Sequence, residues 1–245
     1  MKKIIVFGGA SAIATEVEKL FAAEGAELCL LDTKMTRLEA VRNDILARYK
    51  TRVELIEFNA LDFNTHKEVF LKAVETLGGV DIVLVTYGTL PNQEKAQHDT
   101  DYAIEHFNIN ATSVISLCSI VANYFEEKHS GTLAVISSVA GDRGRKSNYL
   151  YGSAKGAVSL FLQGLRNRLS SKNVSVITIK PGIVDTPMTA HLPKNFLFAK
   201  VDVVGRIIFE GINAQKDIIY VPGYWRLIMC LIKHIPETIF KRLNL

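Results

Sequence analysis

Tyr151 and Lys155 have the residue types and the spacing that acid–base chemistry on a carbonyl group requires. They lie four residues apart in a predicted helix, so their side chains share one face. The reference pKa of tyrosine, about 10, is too high for proton transfer at neutral pH, but a neighbouring ammonium group lowers it. Ser138 follows a predicted strand, where its hydroxyl would hold a substrate oxygen beside the Tyr151 hydroxyl. These three residues predict proton transfer to or from a carbonyl oxygen.

A glycine-containing turn near the N-terminus is typical of phosphate binding. The segment from Gly8 to Ala14 has the sequence GGASAIA and joins an apolar run to a predicted helix. At such a turn the helix N-terminus presents unpaired N–H groups, and small residues let phosphates approach the backbone. Ala12 and Ala14 stand where glycine is usual, and the turn is shorter than the commonest pattern. An ordinary strand–helix turn is therefore the alternative.

An acidic residue follows at the distance expected for a ribose contact. Asp32 ends the second predicted strand, about 20 residues beyond the glycines, where a carboxylate binds the ribose hydroxyls of NAD and repels the 2′-phosphate of NADP. A helix-capping role is the alternative for Asp32. We expect NAD(H) to be preferred, while the nearby Lys34 and Arg37 leave NADP(H) open.

Seven apolar runs alternate with longer helical patterns along the chain. The predicted strands span residues 3–7, 27–31, 53–58, 81–86, 132–137, 174–179 and 218–221. The predicted helices span residues 12–24, 35–50, 65–77, 111–128, 150–170 and 201–214. This alternation predicts βαβ units and a doubly wound parallel sheet in an α/β protein. Because no composition break divides residues 1–223, we expect them to form one domain that holds both cofactor and catalytic site.

A resemblance to a known family rests on several of these residues in order. Ser138, Tyr151-Gly-Ser-Ala-Lys155, Asn110 and Pro181-Gly182-Ile183-Val184-Asp185-Thr186 together resemble the short-chain dehydrogenase/reductase family. The resemblance covers residues 3 to about 221. It implies a Rossmann-type fold with a seven-stranded parallel sheet. It also implies hydride transfer between NAD(P) and a carbonyl or secondary alcohol carbon of a small molecule.

The resemblance implies a role for each matching residue. Tyr151 would be the general acid or base, Lys155 would hold the nicotinamide ribose and tune Tyr151, Ser138 would orient the substrate oxygen, and Asn110 would hold a water. The implied cofactor-binding residues are Gly8, Gly9, Ser11, Ala12, Ile13, Asp32, Asn59, Gly88, Tyr151, Lys155, Pro181, Ile183 and Thr186.

Two departures from the family pattern concern the cofactor. The glycine turn is altered, and the segment Val85-Thr86-Tyr87-Gly88 keeps only the glycine of the family's NNAG. These changes favour a rival hypothesis in which the chain senses a dinucleotide without turnover. The complete set of catalytic residues opposes that rival.

The basic loop between Ser138 and Tyr151 is a candidate substrate contact. Arg143 and Arg145 could bind an anionic substrate, because a guanidinium grips a phosphate through two N–H groups. A solvated loop paired with Asp142 is the alternative. This loop, the short turn and the tail are also similar to decaprenyl-phosphoryl 2-keto-pentose reductase-like members of the family, which suggests a keto sugar that is lipid-linked or phosphorylated.

The C-terminal segment, residues 224–245, is apolar and basic. It carries four basic residues against Glu237 alone, around an apolar run that begins at Trp225. This composition is typical of a helix lying on a membrane surface. Docking on a sister subunit is the alternative that we favour, and a peripheral membrane scaffold without catalysis is a further rival.

Two predicted helices, at residues 111–128 and 150–170, are apolar on more than one side. A helix that only covers a sheet needs one apolar stripe, so a wider one predicts a second buried face. We expect this face to be a subunit interface in a homodimer or homotetramer. Deep burial inside a monomer is the alternative.

The composition excludes several other classes. The 245 residues are 48% apolar and 22% charged, with a net charge of +4, which excludes disorder as the main state and gives no argument for nucleic acid. Cys29, Cys118 and Cys230 lie in apolar runs and are expected to be buried. Neither they nor the histidines have metal-ligand spacing, so no metal is expected. Since neither a signal peptide nor a membrane span is predicted, we expect a cytoplasmic protein.

Overall fold

A seven-stranded sheet forms the centre of the protein. The computed structural model describes residues 1–190 and 193–243. The strands are β1 (Lys3–Phe7), β2 (Glu27–Asp32), β3 (Val53–Glu57), β4 (Ile82–Val85), β5 (Gly131–Ile136), β6 (Val174–Pro181) and β7 (Ile218–Val221). All pair in parallel, in the order β3-β2-β1-β4-β5-β6-β7. This is the doubly wound, Rossmann-type α/β sheet that the sequence predicts, with strand bounds shifted by at most two residues.

Helices cover both faces of the sheet. They are α1 (Ala12–Ala23), α2 (Met35–Arg48), α3 (His66–Leu77), α4 (Gln93–His98), α5 (Thr100–Phe107), α6 (Ser113–Lys128), α7 (Tyr149–Leu169), α8 (Val201–Asn213), α9 (Trp225–His234) and α10 (Glu237–Phe240). One face packs against α3, α6 and α7, and the other against α1, α2 and α8. Because parallel strands are then buried on both faces, they are continuous apolar runs rather than alternating ones. Ile4 and Ile5, which point to opposite faces of β1, are both fully buried.

The strand order reverses between β1 and β4, and this reversal positions the site. The chain leaves β1 toward α1 on one side of the sheet and leaves β4 toward α4 on the other. The two connections therefore diverge at the carboxyl ends of adjacent strands and leave a crevice. In open α/β sheets, ligands bind in such a crevice.

The two helices that were predicted to form a subunit interface differ in how their apolar side chains are buried. The buried side chains of α6, among them Leu117, Val121 and Phe125, pack inside the domain with α3 and α7. Burial within one chain therefore accounts for much of the apolar width of α6. Helix α7 differs, because Leu160 on its outer face is 70% exposed.

The C-terminal segment packs on its own chain. Trp225 and Met229 of α9 form a small apolar cluster with Val139, which follows β5. The outer face of α9 stays open, with Leu227 67% and Leu231 66% exposed. The sequence predicted a membrane or a sister subunit as the surface that this segment meets. Its inner face instead meets the loop that follows Ser138.

Two further expectations are tested by burial and by helix length. Cys29 and Cys118 are buried as predicted, but the prediction for Cys230 is wrong, since it lies exposed on the outer side of α9. Within the described residues, every helix is too short or too polar to cross a bilayer.

Candidate active site

Two adjoining cavities form one groove along the carboxyl ends of the strands. Their volumes are about 360 and 350 Å³, and residues from the glycine turn and from the end of β4 line both. The shared lining residues are Ala10, Ser11, Arg37, Thr86, Tyr87, Gly88 and Met188. The groove thus crosses the point where the strand order reverses, and it is long enough for a two-part ligand.

The first cavity brings together most of the residues that were predicted for catalysis and for nicotinamide contact. Its lining includes Ser138, Tyr151 and Lys155 from the catalytic set. It also includes Ala12 and Ile13 of the glycine turn and Pro181, Ile183 and Thr186 after β6. Residues that are distant along the chain therefore converge at one edge of the sheet.

A close contact between two elements places Ser138 next to Tyr151. Ser138 caps a 3-10 turn, Val139–Asp142, and its Oγ accepts a hydrogen bond from the backbone N–H of Ala140 at 3.1 Å. This turn lies directly on α7: a Cβ at Gly141 would be 2.6 Å from the carbonyl carbon of Lys155. Gly152 is equally constrained, since its Cβ would be 2.8 Å from the Ala140 carbonyl oxygen. Glycine at these two positions lets the turn and the helix approach.

Lys155 is a buried cation with one fixed partner. Its Nζ donates a hydrogen bond to the carbonyl oxygen of Ile136 at 3.0 Å, and the residue is 2% exposed. Burial lowers the pKa of Lys155 to about 8. At neutral pH Lys155 is therefore charged in most molecules, and burying this charge lowers the stability of the folded state.

The Tyr151 phenol is protonated at neutral pH. Burial raises the pKa of Tyr151 to about 12, although the neighbouring Ser138 hydroxyl lowers it. The expectation that Lys155 lowers this pKa is not met here. Its Nζ lies 5.9 Å from the centre of the tyrosine ring, and burial is the dominant effect. A protonated phenol beside the Ser138 hydroxyl is suited to giving a proton to a developing alkoxide.

Asn110 lies behind the cavity wall. It is part of a π-helical turn, Asn108–Thr112, that precedes α6, and its Oδ1 accepts from the backbone N–H of Thr89 at 2.9 Å. A Cβ at Gly88 would lie 2.8 Å from this oxygen and 3.4 Å from Lys155 Nζ. Gly88 therefore lies between Asn110 and Lys155 and contacts both side chains, so the structure brings these two predicted residues close together.

The glycine turn packs closely against the end of β4 and leads directly into α1. Gly8 has a φ of +86°, and its Cβ would be 2.5 Å from the Tyr87 backbone nitrogen. Ser11 caps α1, with its Oγ accepting from the N–H of Ala14 at 3.2 Å. The first N–H groups of α1 thus face the groove at the positive end of the helix.

Gly9 has a packing role beneath the turn. A Cβ there would be 2.9 Å from Leu30 Cβ and 3.3 Å from Glu18 Oε1, so the position faces α1 and β2 rather than the groove. Burial raises the pKa of Glu18 well above its ordinary value, and the charge of Asp32 adds to this. The charged form of Glu18 is thus disfavoured under the turn, and the amphipathic pattern of α1 does not single this residue out.

The second cavity contains the residues that were predicted for the adenosine half of a dinucleotide. Asp32, Asn59, Gly8 and Gly88 line it. Asp32 Oδ1 accepts from the backbone N–H of Lys34 at 3.2 Å. The carboxylate therefore stays at the groove, as a ribose contact needs. It does not cap α2, the alternative role, because the N-cap residue is Lys34 and no side chain caps this helix.

These residues fit a nicotinamide dinucleotide. The turn and helix α1 would hold the pyrophosphate, Asp32 the adenosine ribose, and Lys155 with Ile183 and Thr186 the nicotinamide end. A bound cofactor would supply the hydride, and Tyr151 is positioned to supply the proton. Among the described residues, no cluster of acidic residues, histidines and cysteines could hold a metal ion.

The structure adds a residue to the site that the sequence did not suggest. Trp225 of α9 lines the first cavity, and its ring packs so closely on Gly182 that a Cβ there would be 1.8 Å from the indole Nε1. The available signals were that Trp225 is the only tryptophan and that its segment is unusually apolar. Neither signal says which surface the segment covers.

The two loop arginines lie in different places. Arg143 donates from Nη1 to the carbonyl oxygens of Ile232, Lys233 and Ile235 at 2.7–3.0 Å. It is thus fixed to the end of α9 and does not line the cavity. Arg145 lines the cavity. Asp142, the predicted partner of the loop, instead binds Lys180 and the Tyr220 hydroxyl.

Comparison with known proteins agrees with this geometry. The family model for short chain dehydrogenases matches residues 2–196. The chain belongs to this family. An uncharacterized oxidoreductase of Streptomyces coelicolor, encoded in the mprA 5′ region, is 30% identical over 99% of this chain and 96% of its own length. An uncharacterized oxidoreductase of Mycobacterium tuberculosis is 27% identical over 98% and 96% of the respective chains. The protein is an oxidoreductase of the short-chain dehydrogenase type.

Solved structures share the fold at lower identity. Levodione reductase superposes with a TM-score of 0.83 at 19% identity, over 91% of this chain and 96% of its own. A short-chain dehydrogenase from Sphingobium yanoikuyae in complex with NADPH superposes with a TM-score of 0.82 at 19% identity, over 97% of both chains.

Proposed function

We propose that the protein interconverts a carbonyl group and a secondary alcohol of a small molecule, with NAD(H) as the hydride carrier. The observation that carries this proposal is the shared groove. The Ser138–Tyr151–Lys155 set lies in a cavity that continues, through the glycine turn, into a second cavity containing Asp32. The Tyr151 phenol, the proposed proton donor, thus lies in the cavity next to the one that contains Asp32, the proposed ribose ligand.

The proton chemistry follows from the state of the side chains. Ser138 Oγ would donate a hydrogen bond to the substrate carbonyl oxygen and hold it at the Tyr151 hydroxyl. Tyr151 would give its proton to this oxygen as the hydride reaches the carbon. Lys155 would hold the nicotinamide ribose, since its ammonium is hydrogen-bonded to the Ile136 carbonyl oxygen and does not lower the pKa of Tyr151. The protonated phenol favours assigning carbonyl reduction as the direction.

NAD(H) is the proposed cofactor because of the charge at the second cavity. Asp32 would lie next to the 2′ position and repel the extra phosphate of NADP(H). Arg37 and Lys34 also line this cavity, so they could offset part of the repulsion. The NADPH bound to the Sphingobium protein is a property of that protein and does not decide the cofactor here.

The proposal is tested by turnover of matched variants. Tyr151→Phe removes the proton donor and keeps the ring, and we expect kcat for NADH-dependent reduction of a carbonyl panel to fall by about 10²–10⁴. Tyr149→Phe is the control, since Tyr149 is exposed on the same helix. Near-native kcat in Tyr151→Phe would contradict the mechanism.

One alternative has a specific observation in its favour. Ala12 and Ala14 replace glycines at the phosphate loop, which is compatible with a protein that senses a dinucleotide without turnover. Tight NADH binding with no oxidation across the panel would support this alternative. The buried Lys155, whose charge costs folding energy, is an argument for catalysis.

The surroundings of the site support further proposals on assembly and location. We propose a homodimer or homotetramer through the outer face of α7, and cytoplasmic function. A keto group on a sugar is one substrate that the sequence suggests. The exposed leucines of α9 and the basic residues around them make weak contact with an anionic membrane surface a second proposal, tested by sedimentation with anionic liposomes at rising salt.

A further inference from the structure

The first cavity contains a cation that the mechanism does not use. Arg145 lies in the loop between the 3-10 turn and α7, and it lines the same cavity as Tyr151. Its Nη2 donates to the thioether sulfur of Met229 at 3.3 Å, and its Nε is buried without an acceptor. Thioether sulfur is a weak acceptor, so the guanidinium has nearly all of its hydrogen-bonding capacity free.

The acidic residue nearest to Arg145 in the chain is already engaged. Asp142 accepts hydrogen bonds from the Lys180 ammonium and, at 2.7 Å, from the Tyr220 hydroxyl. Among the residues that the structure describes, no carboxylate lies within ion-pair distance of Arg145. The guanidinium is partly buried, and Asp142 acts on it through space without contacting it, so a ligand anion would supply the direct partner that the described residues lack.

A second unpaired group lies beside the first. The backbone N–H of Asn148 donates to the Arg145 carbonyl at 3.1 Å, so a tight turn holds these two residues together. Asn148 also lines the cavity, and its Oδ1 is buried without a donor within the described part of the chain. The surrounding wall is apolar, formed by side chains such as Leu90, Ile183 and Trp225. Two polar groups with free hydrogen-bonding capacity in an apolar wall are typical of ligand recognition.

We propose that the substrate is a carbonyl compound that also bears a carboxylate or phosphate group, which Arg145 binds. Asn148 Oδ1 accepts a hydrogen bond from a hydroxyl of the same molecule. This inference rests on the proposed function, since it places the anion in the cavity that contains Tyr151 and not in the second cavity. Arg145 is then a specificity-determining residue for the substrate rather than a cofactor ligand.

The chain offers its own probe and its own control. Trp225 is the only tryptophan in the sequence and lines the cavity, so ligand binding near Arg145 should change its fluorescence. The protein is first saturated with NAD⁺, which does not absorb tryptophan emission. It is then titrated with two pairs of compounds: 2-oxooctanoate and its methyl ester, and dihydroxyacetone phosphate and dihydroxyacetone. Arg145→Gln removes the cation, and Lys146→Gln removes a neighbouring exposed charge.

We expect at least one anionic member to bind about tenfold or more tightly than its neutral partner, and Arg145→Gln to abolish that difference. Lys146→Gln should change either affinity by less than twofold. A difference within the 2-oxooctanoate pair would identify the anion as a carboxylate. A difference within the dihydroxyacetone phosphate pair would identify it as a phosphate.

Several outcomes would overturn the inference. They are equal affinity for the members of both pairs, an equal effect of the two variants, or a loss of NAD⁺ affinity in Arg145→Gln. Failure of all four compounds to bind would also contradict it for these two anion classes. The proposed function has a separate readout in parallel samples that contain NADH, because NADH oxidation with neutral ketones and its loss in Tyr151→Phe do not depend on Arg145.

Discussion

At the scale of single residues, Lys155 has the clearest conflict between folding and chemistry. A pKa that falls from its ordinary value of 10.5 to about 8 corresponds to roughly 3 kcal/mol of unfavourable burial of the charged form. Lys155→Met replaces the buried cation with an apolar side chain of similar length. We expect the free energy of unfolding at pH 7 to rise by about 1–3 kcal/mol, while NADH-dependent turnover is lost. Urea denaturation measures the first effect.

The pH dependence of this effect has a defined sign. Between about pH 8 and 10.5 the unfolded chain holds a proton on Lys155 that the folded chain has released, so folded-state stability of the native sequence rises with pH. The advantage of Lys155→Met should therefore shrink over this interval. Lys72→Met, at an exposed position of α3, is the control. A variant that is less stable than the native protein at pH 7 would contradict the argument.

Asp32 is the residue on which cofactor choice depends. We expect NADH to bind more tightly than NADPH, and Asp32→Asn to reduce the ratio of the two affinities by about tenfold, because it removes the negative charge beside the 2′-phosphate. Titration of both reduced cofactors by their fluorescence measures the ratio. Asp62→Asn changes an exposed acidic residue outside the groove and should leave it unchanged. Tighter NADPH binding by the native protein would transfer the dominant role to Lys34 and Arg37.

At this scale the sequence predicted the positions of side chains better than their protonation and their contacts. The spacing of Tyr151 and Lys155 identified a shared face, and both residues line one cavity. The expected fall in the pKa of Tyr151 did not follow, because burial depends on the surrounding elements, which no spacing encodes. The same limit applies to Arg143 and Arg145, since two identical residue types in one loop differ only in what packs against each.

At the scale of elements, the seven strands and six long helices were predictable because each has its own periodic pattern. Helices α4 and α5 were not predicted: they are short, polar on most sides, and begin at the side-chain caps Asn92 and Asp99 rather than at an apolar stripe. The π-helical turn before α6 was also missed, and it is the element that carries Asn110. An inserted residue in a helix leaves no composition signal.

Arg143, in the loop between Ser138 and Tyr151, binds the two C-terminal helices. Besides its three carbonyl contacts, Arg143 pairs with Glu237 at 2.8 Å and lies 3.9 Å from the centre of the Phe240 ring. We expect Arg143→Gln to lower the free energy of unfolding by about 1–3 kcal/mol, since hydrogen bonds from a charged donor to partly exposed carbonyls at the end of α9 are lost. Limited proteolysis should cut the variant within residues 224–243 faster than the native protein.

Lys146→Gln, three residues further along the same loop, is the matched control for that experiment. Equal stability and equal cleavage of Arg143→Gln and Lys146→Gln would show that α9 is held by its apolar contacts alone. A selective effect of Arg143→Gln would also explain how the tail influences the active site, because Trp225 reaches the cavity only while α9 is in place.

At the scale of the whole molecule, α7 links the active site to the surface where a second subunit would bind. Its inner face presents Tyr151 and Lys155 to the groove, and its outer face presents Leu160 with the small exposed residues Ser153 and Gly164. Small side chains beside a leucine allow two helices to pack closely. If two copies meet here, the helix that carries the catalytic pair is buried on both sides and held rigid, which suits a site that must keep a phenol and an ammonium in register.

We therefore expect the protein to be a dimer or tetramer at micromolar concentration, and Leu160→Arg to shift it toward monomer. An arginine at the centre of an apolar interface would carry an unpaired, desolvated charge in both copies of a symmetric contact. Light scattering after size-exclusion chromatography measures the mass. Leu71→Arg is the control, because Leu71 is an exposed leucine of α3 away from the outer face of α7. A native protein that is monomeric under these conditions would leave the apolar width of α7 without a partner and would refute the proposed interface.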